Sequence, residues 1–317
     1  MLRWRLVLGA GVIVLVVLLC WLDHIAPLPG VALFPLAALI SVLATGELFA
    51  LADTARGEPP AAARWSAWPV YVGNGAMLLA VWGPVLWNAF SDSEGLSGTS
   101  ATELAGPHCL PPAQTALLLT LAAALILAML EEIRRFEGPG GITARLGVAS
   151  LGLLYGGLLL SFLGLLRIGY GIGALASLVI VVKMADTGAY FVGHLIGRRK
   201  LAPRLSPGKT VEGTIGGLLW GWASAWAVFT WLTPALAVSG EGAHSGGCPW
   251  WGWTSYGLVL SLVGLGGDLA ESLLKRDAQR KDSSRWMPGF GGVLDLMDSL
   301  LWTAPVAYLW WHLGWVV

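Results

Sequence analysis

The chain has 317 residues, 56% of them hydrophobic and 12% charged, with 18 Trp and a formal net charge of zero from 19 basic and 19 acidic residues. A soluble domain of that composition would present far too much apolar surface to water, so the chain reads as a polytopic membrane protein. The neutral balance, without a basic tail or low-complexity tract, excludes bulk nucleic-acid binding and leaves any electrostatic function local.

A helix that crosses a bilayer needs about 20 mostly apolar residues. About nine windows meet that length, approximately 5–22, 32–52, 68–90, 113–131, 147–166, 171–193, 213–236, 254–274 and 291–314. The expected fold class is all-α, because a transmembrane barrel would show alternating segments of about 10 residues. The first window follows Arg3 and Arg5 as in a signal peptide, but its apolar run is long and no small-residue cleavage site precedes "DHIAP". It reads as a retained helix, with Cys20 as a packed apolar residue.

Orientation follows from the basic residues. With the N-terminus and every second loop placed in the cytoplasm, every Lys and Arg except Arg167, in a short external turn, and Lys183, inside a span, falls on the cytoplasmic side. The positive-inside rule then predicts a cytoplasmic N-terminus and an external C-terminus. A compositional divide near residue 171 separates an N-terminal bundle, 1–170, from a C-terminal bundle, 171–317, whose spans carry ions. Cytosolic loops are expected at 194–212 and 275–290. The two long external loops lack Lys and Arg and hold one cysteine each, Cys109 and Cys248. In an oxidising compartment these two can bridge; the alternatives are thiols too far apart to do so, or a zinc site in which His108 and His244 join them.

Ionisable residues inside a span are expensive and usually face a bundle interior or a wet cavity. Here they come three apart, as Lys183 and Asp186, Asp268 and Glu271, and Asp295 and Asp298, so each pair shares a helical face. Carboxylates from different helices gathered at a cytosolic membrane edge make an all-oxygen site that suits a hard divalent cation such as magnesium. Basic residues beside them would hold phosphate. The plain alternative is buried ion pairs that fix helix packing, and Lys183 with Asp186 fits it equally well.

The segment "GRRKLAPRLSPGKTVEG" enters the cytosol after the span containing Asp186. Its Arg198, Arg199, Lys200 run serves orientation. In "SPGKTVEG" a Pro-Gly turn is expected to deliver Lys209 and Thr210 to the start of a span, where a helix N-terminus can face an anion. The P-loop spacing is absent. His194, on the face of Asp186 and Tyr190, reads as a packing residue. "MPGFGGVLD" returns the backbone to the membrane before Asp295.

Residues 267–299, "GDLAESLLKRDAQRKDSSRWMPGFGGVLDLMDS", resemble the signature of the integral-membrane phosphatidate cytidylyltransferases, also called CDP-diacylglycerol synthases. Residues 186–213 resemble the second segment those enzymes share. The resemblance implies transfer of the cytidylyl group of CTP to phosphatidic acid, giving CDP-diacylglycerol and pyrophosphate, with Mg2+ and room for a second cation. It implies Asp268, Asp295 and Asp298 as metal carboxylates, with Lys275 beside them in the catalytic set and Glu271 as a nearby ligand or orienting group. Lys209, Lys275, Arg276 and Lys281 would neutralise triphosphate and lipid phosphate. Ser206, Thr210 and Glu212 would shape the nucleotide-side loop, and Asp282 belongs to the same motif. The implied setting is an inner membrane with the site on the cytoplasmic side, membrane lipids as partners, no nucleic acid, and a homodimer.

Three positions depart from the pattern: Phe290 stands where the family usually has His, Leu296 where it has Arg, and Gly208 where it has the first of two Lys. Fewer cations on a phosphate-binding surface keep two other readings open. One is a CTP-dependent transferase acting on another lipid phosphate or a polyprenol; the other is a non-catalytic lipid-binding or transport protein.

Overall fold

The structure, a computed structural model, describes residues 2–26, 28–55, 66–93, 113–136, 138, 141–236, 248–284 and 291–316. Phe290, Cys109, His108 and His244 lie outside the described residues. The architecture is all-α: helices α1 (Leu2–Ile25), α2 (Phe34–Ala55), α3 (Trp68–Ser93), α4 (Ala113–Arg134), α5 (Ile142–Leu153) and α6 (Leu160–Ile196) precede a short hairpin, β1 (Lys200–Ala202) and β2 (Ser206–Thr210). Then come α7 (Val211–Ala227), the short α8 (Thr233–Leu236), α9 (Trp250–Asp277) and α10 (Val293–His312). Single π-helical segments, Leu154–Leu159 and Val228–Leu232, join α5 to α6 and α7 to α8.

Among the described residues, six helical stretches are long and apolar enough to cross a membrane: Phe34–Ala55, Trp68–Trp87, Ala113–Arg134, Ile142–Ile196, Val211–Leu236 and Trp250–Asp277. Six differs from the nine windows for identifiable reasons. The stretch Ile142–Ile196 is 55 residues long, about 80 Å at helical rise against a hydrocarbon core of about 30 Å. It is broken inside α6 at Gly171, whose φ of 82° with ψ of −180° is a conformation that side chains with a Cβ rarely adopt. The first and last windows correspond to α1 and α10, which are helical but fall outside the six. Large apolar side chains such as Leu118, Ile126, Leu219 and Trp231 stand exposed on these helices. Facing water they would be a liability, whereas hydrocarbon suits them. The chain is a multi-pass membrane protein.

The chain forms two compact units, Met1–Gly164 with Ser283–Val293, and Leu165–Asp282 with Leu294–Val317. The core of the first is built from Met77, Trp82, Leu117, Leu153 and Leu160, all essentially buried. Several of its buried polar groups find partners, as hydrocarbon demands. Trp82 Nε1 donates to the Gly30 carbonyl at 2.8 Å, and Asn74 Nδ2 donates to Thr45 Oγ1 at 2.9 Å. Asp23 accepts the backbone N–H groups of Gly30 and Ala32, both at 3.1 Å. Glu47, in α2, accepts from Ser283 Oγ at 2.9 Å and from the Val293 N–H at 3.0 Å.

The second unit packs α6, α7, α9 and α10 around Leu178, Tyr256, Leu260 and Leu301. Tyr256 is fully buried and its hydroxyl lies 2.9 Å from Ser177 Oγ. Small residues let these helices approach closely, the usual device where lipid gives no hydrophobic drive for helix association. At Gly267 on α9 a Cβ would stand 2.7 Å from the Asp298 carbonyl oxygen and 3.0 Å from Trp302, so α10 can lie against α9 there only because the side chain is missing.

Candidate active site

The ionisable residues singled out in the sequence collect in the second unit, at the ends of α6, α9 and α10 and on the hairpin. Asp268 and Glu271 stand three apart on α9, and the close approach at Gly267 brings α10 alongside. One carboxylate oxygen from each of Asp268, Glu271 and Asp298 lies within 4.8 Å of the others. Glu271 is 0% exposed and its Oε1 has no hydrogen-bond partner. An orphaned carboxylate oxygen in so dry a place is costly unless a cation or proton meets it. Six-coordinate magnesium sets neighbouring oxygens about 3 Å apart and opposite ones about 4 Å apart, so a small contraction of the three carboxylates would fit them to the ion. Asp268, Glu271 and Asp298 are thus the residues that would hold it.

Asp295 has a different partner. Its Oδ1 is 2.6 Å from Lys275 Nζ, which also bonds Glu271 Oε2 at 3.0 Å, so one ammonium ties a carboxylate of α10 to one of α9. Lys275 and Asp295 are each 12% exposed, well withdrawn from solvent. Asp298 Oδ1 accepts from the backbone N–H and hydroxyl of Ser299, at 2.5 and 3.1 Å, which fixes the carboxylate's orientation. Ser272 Oγ reaches Asp268 Oδ1 at 3.5 Å. The ion pair of Lys183 with Asp186 is present at 3.6 Å, and Lys183 also donates to the Leu296 carbonyl at 3.1 Å. Asp186 lies within electrostatic range of Asp268 and Asp298 too.

The segment after α6 departs from expectation. Pro207 and Gly208 do not form a turn; they lie within β2, paired antiparallel to β1 with Ala202 opposite Ser206 and Lys200 opposite Thr210. A two-stranded ribbon is all edge, and an edge strand tolerates a proline because its missing N–H can face outward. The local consequence resembles the one expected. Thr210 leaves the strand extended and caps α7, its Oγ1 accepting from the Gly213 N–H at 3.1 Å. Glu212 takes the Arg198 N–H at 3.0 Å and the Arg199 N–H at 3.1 Å, tying the start of α7 to the end of α6.

Between these anchors Lys209 projects to Asp268, with Nζ 2.7 Å from Oδ2 and 3.5 Å from the Leu265 carbonyl. Arg276 joins the other side of the hairpin, its Nε donating to the Leu205 carbonyl at 3.1 Å. Ser206 opens β2, and Lys281 and Asp282 are exposed in the bend after α9. Gly208 has open space where a side chain would go. His194 stacks on Tyr190 with ring planes 7° apart.

The structure therefore brings Asp268, Glu271, Lys275, Asp295, Asp298 and Lys209 into one cluster, with Asp186 and Lys183 at its border. It sets Thr210 and Glu212 as anchors of the hairpin, and leaves Lys281 and Asp282 at the surface. The grouping of Glu271 with Asp268 and Asp298, and of Asp295 with Lys275, depends on side-chain direction across two helices, which spacing along one helix does not report. Glu47 went unremarked in the sequence, although a lone carboxylate inside an apolar window is itself the signal.

A carboxylate cluster flanked by two ammonium groups can hold a divalent cation and a polyphosphate together. Comparison with known proteins identifies the family. The model of the cytidylyltransferase family matches residues 3–313. A phosphatidate cytidylyltransferase of Brucella melitensis is 43% identical over 165 residues, 51% of this chain and 56% of that protein. Proteins of the same name from Pseudomonas aeruginosa and Bacillus subtilis are 38% identical over 202 residues and 40% identical over 139. The former alignment covers 62% of this chain and 67% of the relative, the latter 44% and 47%. The chain thus spans a little over half the length of the Brucella relative. With the family model matched across nearly its whole length, this chain belongs to the cytidylyltransferase family.

Proposed function

We propose that this protein transfers the cytidylyl group of CTP to phosphatidic acid, giving CDP-diacylglycerol and pyrophosphate. The observation that carries the reading is the cluster itself: three carboxylate oxygens within 4.8 Å, with Lys209 on Asp268 and Lys275 between Glu271 and Asp295. The names of the relatives supply the substrates. A phosphatidate oxygen, already an anion, attacks the α-phosphorus of CTP; the bond from that phosphorus to the bridging β-phosphate oxygen breaks, and pyrophosphate leaves with the electron pair. No covalent enzyme intermediate is needed, so the residues act by placement and charge neutralisation.

Magnesium on Asp268, Glu271 and Asp298 would neutralise charge on the phosphates. Lys209 and Lys275 sit beside that position and offer ammonium donors to triphosphate oxygens. The hairpin supports Lys209 through the anchors at Thr210 and Glu212. Asp295 holds Lys275 in place through a short salt bridge that orients its ammonium.

The same reading gives nine crossings: the six apolar stretches, one more from the break at Gly171, and α1 and α10. With the basic residues inside, the N-terminus is cytoplasmic, the C-terminus external, and the cluster opens at the cytoplasmic edge of the inner membrane. A soluble nucleotide and a membrane lipid meet there. Incubation of the purified protein with labelled CTP, magnesium and a panel of lipid phosphates tests the reading. Label in CDP-diacylglycerol with phosphatidate is the expected result; label confined to another lipid phosphate or polyprenol phosphate, or no transfer at all, overturns it.

A further inference from the structure

Glu47 lies within α2, a 22-residue apolar helix, and is only 7% exposed. Its two oxygens hold different residues: Oε2 accepts from Ser283 Oγ and Oε1 from the Val293 N–H. Ser283 and Val293 are the first and last residues of the segment that groups with the first unit. One carboxylate thus pins both ends of the stretch that carries the chain from the end of α9 into α10. Val293 is the first residue of α10, so its N–H is among the donors that a helix start leaves without an intrahelical acceptor. A carboxylate in that place is also favoured by the helix dipole.

Gly292 completes the arrangement. A Cβ there would run into both Glu47 oxygens and Ser283 Oγ, so the backbone reaches the carboxylate only because the residue is glycine. Asp295 and Asp298 follow on the first turns of the same helix.

We propose that Glu47 is a positioning residue for cytidylyl transfer: by fixing where α10 begins, it sets the height and rotation at which α10 presents Asp295 and Asp298. Glu47 works through the backbone and is not a catalytic residue. The kinetic part of this proposal rests on the reading under Proposed function; the structural part, that Glu47 holds the start of α10, does not.

The test uses the full chain in detergent with Glu47→Ala, Glu47→Gln and Gly292→Ala, measuring kcat and KM for CTP, Tm, and hydrogen exchange at the Val293 amide. Glu47→Ala and Gly292→Ala are expected to lower kcat about 10- to 100-fold, the scale of a misplaced reacting group. KM for CTP should stay within about threefold, since ground-state binding is not what is removed. Exchange at Val293 should quicken in both. Glu47→Gln keeps a carbonyl oxygen for Val293 and an amide for Ser283, and should retain kcat within about fivefold.

A lower Tm with unchanged kcat in Glu47→Ala would make the residue a packing group and overturn the proposal. Val293 exchange as slow as in the unaltered protein would overturn it as well. Should Glu47→Ala not fold, Gly292→Ala decides: unchanged kcat and exchange sink the idea. Absence of turnover in the unaltered protein overturns the proposed function instead, and the exchange measurement still decides whether Glu47 holds the helix start.

Discussion

Asp268, Glu271 and Asp298 share one position in space, yet their surroundings differ enough to separate their roles by substitution. Glu271 is sealed from solvent and keeps an unpartnered oxygen, so Glu271→Gln removes a charge from the proposed magnesium position where water has little access to replace it. Asp268 is 35% exposed and carries Lys209, so Asp268→Asn takes a charge from the proposed magnesium position and frees a lysine. Both changes, and Asp298→Asn, are expected to lower turnover by about 100-fold or more and to raise the magnesium concentration needed for half-maximal rate. Asp295→Asn should act differently. It loosens Lys275 from α10 while leaving the three-oxygen group its charge, so kcat should fall with a smaller change in magnesium dependence. Titrating magnesium at fixed CTP, then CTP at saturating magnesium, for all four variants checks this pattern; a uniform response would mean that the two groups of carboxylates do one job.

At the level of elements, the site depends on how closely α9 and α10 lie. Gly267→Ala would place a methyl group 2.7 Å from the Asp298 carbonyl oxygen and force the helices apart. Such overpacking typically destabilises by about 1–3 kcal/mol. Because the displaced backbone is that of Asp298, the loss of activity should exceed what the fall in Tm explains; thermal unfolding in detergent compared with kcat on the same preparation measures both. Much of this was legible in the sequence. Helical spacing placed Asp268 with Glu271 and Asp295 with Asp298 on shared faces, and apolar length gave the helices. The strand conformation of Pro207 and Gly208 was not legible, since proline and glycine mark turns far more often than an edge strand. The anchoring of the hairpin by Glu212, through N–H groups more than ten residues away in sequence, is a tertiary contact that no local pattern encodes.

For the molecule as a whole, the orientation drawn from basic residues can be read out at Cys248. It lies just before α9, half-buried, and burial pushes its thiol up to about 11. The raised value means that the neutral thiol persists through neutral pH and the reactive thiolate becomes abundant only near that value. If it is a thiol, membrane-impermeant alkylation applied from outside should label it slowly at pH 7 and faster as pH rises, while reagent confined to the cytoplasmic side should leave it unlabelled. Refusal to label until a reductant is added would point to the bridge with Cys109, and labelling from the cytoplasmic side would reverse the topology. The break at Gly171 bears on how such a topology arises at all. The run from Ile142 to Ile196 is apolar over 55 residues and carries one charged residue near the break, Arg167, so a machinery that reads hydrophobicity meets only a weak boundary between its two sides. The described helix breaks at Gly171, and in the nine-crossing reading proposed above the two sides of that break would enter the bilayer as a pair.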